Sequence, residues 1–154
     1  MTDALGGMTS YEYVPGRGAK LLSRVVDARG YPTSFTYDAQ GRLTSVTNAV
    51  GAAKLFTYDL KGNLTSVRDA QFQTITFVYD ALDRLIQKNL PEGAPVTYQY
   101  DAAGNLTRVQ HYNGSIVQMS YDALDRLTNV TQTLPTGGSY AISYGYDAIG
   151  NKTL

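Results

Sequence analysis

Six aspartates each stand directly after a tyrosine: Tyr37-Asp38, Tyr58-Asp59, Tyr79-Asp80, Tyr100-Asp101, Tyr121-Asp122 and Tyr146-Asp147. Carboxylates in pairs are the groups that hydrolyse glycosidic bonds, so their recurrence raises that chemistry first. The first five pairs are 21 residues apart and the last gap is 25. Such even spacing argues instead that each aspartate caps a turn that is built again and again. Asp80 with Asp83, and Asp122 with Asp125, gather oxygens in one turn as a calcium loop does. They lack the density of Asp and Asn oxygens that an EF-hand loop supplies. His111 is the only histidine and sits in a loop beside Asn113-Gly114, so no histidine pair or histidine metal cluster can form. Cysteine is absent, which excludes disulfides and thiolate metal sites. Arg84 and Arg126 follow Asp83 and Asp125 and read as solvated turn charges. The 13 tyrosines could stack on sugars, but their alternation with Thr and Ser favours packing within a sheet. Five Asn-x-Ser/Thr sequons begin at Asn63, Asn105, Asn113, Asn129 and Asn151; the repeat itself accounts for the first, second and last. No nucleophile, base or metal constellation emerges, and the expectation is a non-enzyme without cofactor or metal.

The elements that carry these residues are strands. Before each Tyr-Asp pair the chain alternates, as in Ile75-Thr76-Phe77-Val78-Tyr79, Val96-Thr97-Tyr98-Gln99-Tyr100, Val117-Gln118-Met119-Ser120-Tyr121 and Ile142-Ser143-Tyr144-Gly145-Tyr146. Period two puts the large residues on one face of a strand, whereas a helix would scatter them. A tight turn follows. Asp38-Ala39-Gln40-Gly41 has Asp first and Gly fourth, the preferred ends of a type I turn with a left-handed residue after it. Gly62, Gly104 and Gly150 repeat the pattern, and Asp83 and Asp125 take the same place, as Asp tolerates positive φ better than most residues. A return strand opens at Leu43, Leu64, Leu85, Leu106 and Leu127, with Val46, Val67, Val109 and Val130 three residues on. That spacing predicts Leu and Val on opposite faces. Link turns then join the repeats: Asn48-Ala49-Val50-Gly51, Asp69-Ala70-Gln71-Phe72, Asn89 to Gly93, and Tyr112-Asn113-Gly114, whose Asn-Gly is the strongest hairpin signal.

The bulk numbers agree. Thirteen basic and 13 acidic residues cancel, which gives no reason to expect nucleic acid or an anionic membrane as partner. Apolar runs are a few residues long, so no helix of bilayer length is expected, and the first residues carry no signal-peptide pattern. Glutamate, a usual helix filler, occurs only at Glu12 and Glu92. The chain reads as all-β: tandem antiparallel hairpins of about 21 residues, coiling into a curved, spiral sheet because open sheets seldom exceed about ten strands without curling. Residues 3–36 read as a degenerate repeat with a lengthened turn after Tyr13, 37–145 as regular repeats and 146–154 as a partial one. The array is expected to belong to a longer one. Tyr58, Tyr79, Tyr100 and Tyr121 are expected on one face, largely buried against adjacent repeats, and the raw strand edges to invite self-association.

Tyr58-Asp59-Leu60-Lys61-Gly62-Asn63-Leu64-Thr65 and Tyr100-Asp101-Ala102-Ala103-Gly104-Asn105-Leu106-Thr107, at this spacing, resemble the Rhs/YD-repeat family of bacterial polymorphic toxins, Tc-toxin shell components and animal teneurins. The resemblance spans essentially the whole chain. It implies a segment of a hollow β-shell that encloses a C-terminal toxin domain, within a larger protein secreted by or displayed on bacteria. Its implied partners are the rest of that shell and its cargo. The prolines here are Pro15, Pro32, Pro91, Pro95 and Pro135, none after an Asp, so the Asp-Pro core motif that ends Rhs shells is not in this stretch. The alternative is a cell-surface module that holds carbohydrate on exposed aromatic residues.

Overall fold

Each alternating run that leads to a motif tyrosine from Tyr37 to Tyr121 forms a strand, and the Asp-led or Asn-led turns between strands reverse the chain. The computed structural model describes residues 7–16 and 20–153. The start of the degenerate repeat at 3–6, part of its lengthened turn at 17–19, and Leu154 lie outside the described residues. Thirteen strands and no helix are found among those described.

Two compact units divide the chain, Met1–Ile75 and Thr76–Leu154. In the first, β1 (Ser10–Tyr13), β2 (Leu22–Val26), β3 (Pro32–Tyr37), β4 (Leu43–Thr47), β5 (Ala53–Tyr58) and β6 (Leu64–Arg68) pair antiparallel in chain order. The second is built alike from β7 (Thr74–Tyr79), which starts just ahead of the boundary, β8 (Leu85–Asn89), β9 (Val96–Tyr100), β10 (Leu106–Gln110), β11 (Ile116–Tyr121), β12 (Leu127–Thr133) and β13 (Ser139–Ser143). The all-β, antiparallel hairpin array expected from the sequence is what folds.

One expectation about the faces is corrected. Tyr37 pairs with Leu43 and Thr36 with Ser45, so Thr44 is an extra residue in the return strand, a β-bulge. The same shift recurs at Tyr58, Tyr79, Tyr100 and Tyr121. The bulge adds one residue between Leu and Val. Val46 therefore stands opposite Phe35, and Val67 opposite Phe56, on the face that already carries Leu and Tyr. Leu and Val share a face. The other face carries hydroxyl pairs in the first unit: Thr36 bonds Thr44 and Ser45 at 2.9 and 2.7 Å, and Thr57 bonds Thr65 and Ser66 at 2.9 and 2.7 Å.

Among the described residues no side chain is fully buried; Val96 is the one buried hydrophobic residue and Ser115 the one buried polar one. With so little buried side chain, each hairpin is held by its ladder, its cross-strand pairs at roughly 0.2–1 kcal/mol apiece, and bonds to the next repeat. The final repeat departs from the expected Ile142-to-Tyr146 strand. There β13 stops at Ser143, and Tyr146 meets Lys152 in an isolated bridge. The Leu134-to-Gly138 link leads directly into β13, which is exposed along its whole length.

Candidate functional site: the repeated Tyr-Asp turn

Each turn is locked by its first residue. The Asp38 N–H donates to the Arg42 carbonyl at 3.0 Å, and the Gly41 N–H to the Asp38 carbonyl at 3.0 Å. Asp38 Oδ1 accepts the N–H groups of Gln40 and Arg42 at 3.0 and 2.9 Å. Gly41, Gly62, Gly104 and Gly150 have positive φ, as do Asp83 and Asp125 at 61° and 58°, in the places where the sequence put left-handed residues. The link turns use the same construction: Asn48 Oδ1 accepts from Val50 and Ala52, Asp69 Oδ1 from Gln71 and Gln73. At Asn113-Gly114 the loop runs from His111 to Ser115 in that form also, and Gly114, not Asn113, takes positive φ. Phe72 is the exception among link turns. It has φ 64°, where Gly30, Gly51, Gly114 and Gly137 fill the equivalent position, at a cost of about 1–2 kcal/mol for an L-residue with a side chain.

The second carboxylate oxygen faces the residue four on. Asp38 Oδ2 takes Arg42 Nε at 2.6 Å, Asp80 takes Arg84 at 2.7 Å and Asp122 takes Arg126 at 2.7 Å. Asp59, Asp101 and Asp147 take the amides of Asn63, Asn105 and Asn151 at 3.0, 3.1 and 3.0 Å. Arg and Asn thus alternate along the chain. The arginines reach onward. Arg42 Nη1 donates to the Asp59 carbonyl at 2.8 Å and its guanidinium lies 4.8 Å over the Tyr58 ring. Arg84 does the same to Asp101 and Tyr100, and Arg126 stacks on Tyr146. Arg84 and Arg126 are therefore joints between repeats and not solvated turn charges, because the carboxylate holds the guanidinium flat against the next tyrosine. At the other kind of junction, Asn105 Nδ2 donates to Asp125 Oδ1 at 2.7 Å.

The tyrosines reach back. The hydroxyl of Tyr37 donates to the Leu22 carbonyl at 2.9 Å, Tyr58 to Leu43, Tyr100 to Leu85, Tyr121 to Leu106 and Tyr146 to Leu127. Tyr58, Tyr79, Tyr100 and Tyr121 are half-buried, less covered than expected. Leu43, Leu64, Leu85, Leu106 and Leu127 are half-buried beside them.

The carboxyls are tuned for staying ionised. At Asp38 and Asp59 partial dehydration pushes upward, but the hydrogen bonds from the turn and from Arg42 or Asn63 outweigh it and hold both below the usual carboxylate value. At Asp80, Asp101 and Asp122 the backbone N–H of Arg84, Asn105 and Arg126 is the largest cause of the same lowering, and at Asp147 it is the Asn151 amide. Burial pushes the Tyr100 hydroxyl up. Every motif carboxylate is ionised and occupied by donors, the reverse of an acid poised to give up a proton. No group of three or more metal-ligating side chains occurs among the described residues, and no helix among them is long and apolar enough to cross a membrane.

The teneurin YD-shell family model matches residues 19–153. No curated protein sequence matches the chain. Among solved structures, the TcdB2-TccC3-TEV crystal structure is similar at 20% identity and TM-score 0.71, over 94% of this chain and 9% of that one. The Photorhabdus luminescens Tc holotoxin pore carrying a TccC3 mutation matches at 17% identity and TM-score 0.53, over 95% and 11%. A TcdB2-TccC3 crystal structure without its hypervariable C-terminal region matches at 14% identity and TM-score 0.57, over 97% and 12%. The chain spans about a tenth of the length of those chains. The repeated turn, its alternating Arg and Asn joints and the family match over 19–153 agree: this chain belongs to the teneurin YD-shell family.

Proposed function

We propose that this chain is a stretch of wall in a YD-type shell, and that the complete secreted protein uses the wall to enclose a C-terminal toxin domain. One observation carries the reading: the repeated polar side chains of the motif bond to their own turn or to the neighbouring repeat, so the motif is spent on extending a wall. The similar TcdB2-TccC3 structure described without a hypervariable C-terminal region supports a variable cargo behind a repeat array. The test is limited proteolysis of the full-length protein that contains this array. The region C-terminal to the repeats is expected to resist cleavage until the array unfolds. Cleavage there at the rate of an unprotected chain overturns enclosure.

A second reading, a surface module that holds carbohydrate, draws on exposed aromatic residues at the link turns: Tyr31, Phe72 and Tyr112. Binding of a glycan panel to the chain tests it, and the shell reading does not depend on the result.

A further inference from the structure

We propose that Asn113, at the tip of the turn between β10 and β11, is a self-modifying site. The Gly114 nitrogen closes on its side chain and converts it to isoaspartate or aspartate, and Ser115 activates the amide.

This turn is locked differently from its sisters. In the link turns led by Asp27, Asn48 and Asp69, the side-chain oxygen of the first residue accepts the N–H groups two and four residues on. Here the first residue is His111, and the lock comes from the third. Asn113 Oδ1 accepts the Ser115 N–H at 3.0 Å and the Ser115 hydroxyl at 2.8 Å. Ser115 is only 5% exposed, so both donors are fixed and largely out of water, while Asn113 itself is exposed. The amides of Asn63, Asn105 and Asn151 are tied to motif aspartates. The Asn113 amide nitrogen donates to nothing among the described residues.

An amide is attacked at its carbonyl carbon, and its oxygen takes up the charge that develops. Two donors already aimed at Asn113 Oδ1 meet that charge as an oxyanion hole does. The bond to the N–H two residues on also folds the side chain back over the Gly114 nitrogen, the group that attacks. Asn113-Gly114 is the one Asn-Gly in the chain, and glycine has no Cβ to obstruct the approach. The Gly114 N–H is held by the His111 carbonyl at 2.9 Å. That bond opens first, and opening is easiest at an exposed hairpin tip.

The steps balance without oxidant or cofactor. A base takes the Gly114 N–H proton, and the nitrogen bonds to Asn113 Cγ. The Cγ–Nδ2 bond breaks, and Nδ2 leaves as ammonia with a proton returned to it. A cyclic imide remains, and water opens it at either carbonyl to leave aspartate or isoaspartate. Both products take the formal net charge from zero to one negative. Aspartate keeps an acceptor for Ser115. Isoaspartate routes the main chain through the side-chain carbon and lengthens it by one CH2. The turn then loses its paired bonds, His111 N–H to the Ser115 carbonyl at 2.8 Å and Gly114 N–H to the His111 carbonyl. The β10–β11 hairpin carries a slow one-way clock.

The experiment ages the full chain, S115A and S115T at mildly alkaline pH, folded and in urea. Peptide mass spectrometry follows each asparagine, a methyltransferase specific for isoaspartate labels that product, and circular dichroism confirms folding. Asn113 is expected to convert first, at a rate proportional to hydroxide. Asn48 is the internal control: its oxygen also accepts two N–H groups, but Ala49 follows it, and it should stay intact. S115A should slow Asn113 about fivefold in the folded chain, the weight of one hydrogen bond, and leave the rate in urea unchanged. S115T keeps the hydroxyl and should keep the rate. The isoaspartate form, separated by its charge, should melt below N113D. Asn113 intact in the folded chain but converted in urea overturns the site, and so does Asn48 keeping pace with it. A rate in S115A equal to or above that of the parent chain overturns the part given to Ser115. Equal melting of the isoaspartate form and N113D overturns the effect on the hairpin.

Discussion

One aspartate in each motif does two jobs with one carboxylate. Its first oxygen closes the turn, and its second aims the side chain four residues on. At Asp80 the aimed group is Arg84, which grips the next repeat through the Asp101 carbonyl and the Tyr100 ring. Replacing Arg84 by Ala removes a part-exposed ion pair of about 0.2–1 kcal/mol and a cation–π contact of about 0.5–1 kcal/mol. R84A should therefore lower stability by about 1–2 kcal/mol in urea denaturation. R84K should recover less than half of it, because an ammonium keeps the charge but cannot span carboxylate, carbonyl and ring together. If R84K matches the parent protein, the planar group is not the joint. The aspartates, their glycines and the left-handed Asp83 and Asp125 were legible in the sequence because turn chemistry is local. The arginine joint was not, since its far end lies 17 residues away, from Arg84 to Asp101. A signal did exist: Arg42, Arg84 and Arg126 recur at every second repeat. Phe72 hid for the opposite reason, as nothing in its own type announces a positive φ.

At the scale of the strand the decisive residue is the one without a partner. Leu64 and Val67 share a face only because Thr65 bulges between Tyr58 and Thr57 of the facing strand. Period-two reasoning alone put Leu and Val on opposite faces, and the mistake was in the ladder, not in the residues. The repeated odd spacing of two apolar residues was itself the clue to a bulge. Deleting Thr65 leaves Leu64 and Val67 two residues apart and still on one face, so the strand can straighten without turning over. T65A keeps the bulge and gives up one exposed hydroxyl contact, so it should cost under about 1 kcal/mol, and the deletion should cost about the same. A loss of about 2 kcal/mol or more for the deletion in urea titrations, of the order of uncovering one aliphatic side chain, would show that the bulge itself holds the face.

Over the whole molecule the six motif aspartates act together. Each has a carboxyl held below its unfolded value, so each adds stability that is present above that value and fades as pH falls through the folded one. The urea midpoint should stay level from about pH 8 to pH 5 and drop once pH passes below about 4, the ordinary carboxylate range. A midpoint that does not fall in acid would mean the turns hold without their charges. Assembly is the second collective property. Strand β13 pairs only with β12 among the described residues and exposes Tyr140 and Ile142. We expect concentration-dependent self-association in sedimentation, reduced by I142K, since a lysine on an edge strand discourages pairing. The alternation of joints also bears on how such a protein can change length. Guanidinium joints leave Arg42 and Arg84, and an amide joint runs from Asn105 to Asp125, so neighbouring repeats are not interchangeable parts. Copying or losing one hairpin sets two turns of the same kind side by side and strands a half-joint, as Asp125 would be without Asn105. Copying or losing two keeps every joint matched. A gene that grew or shrank by recombination between its own repeats would keep its Asn-to-Asp joints matched by moving in even steps.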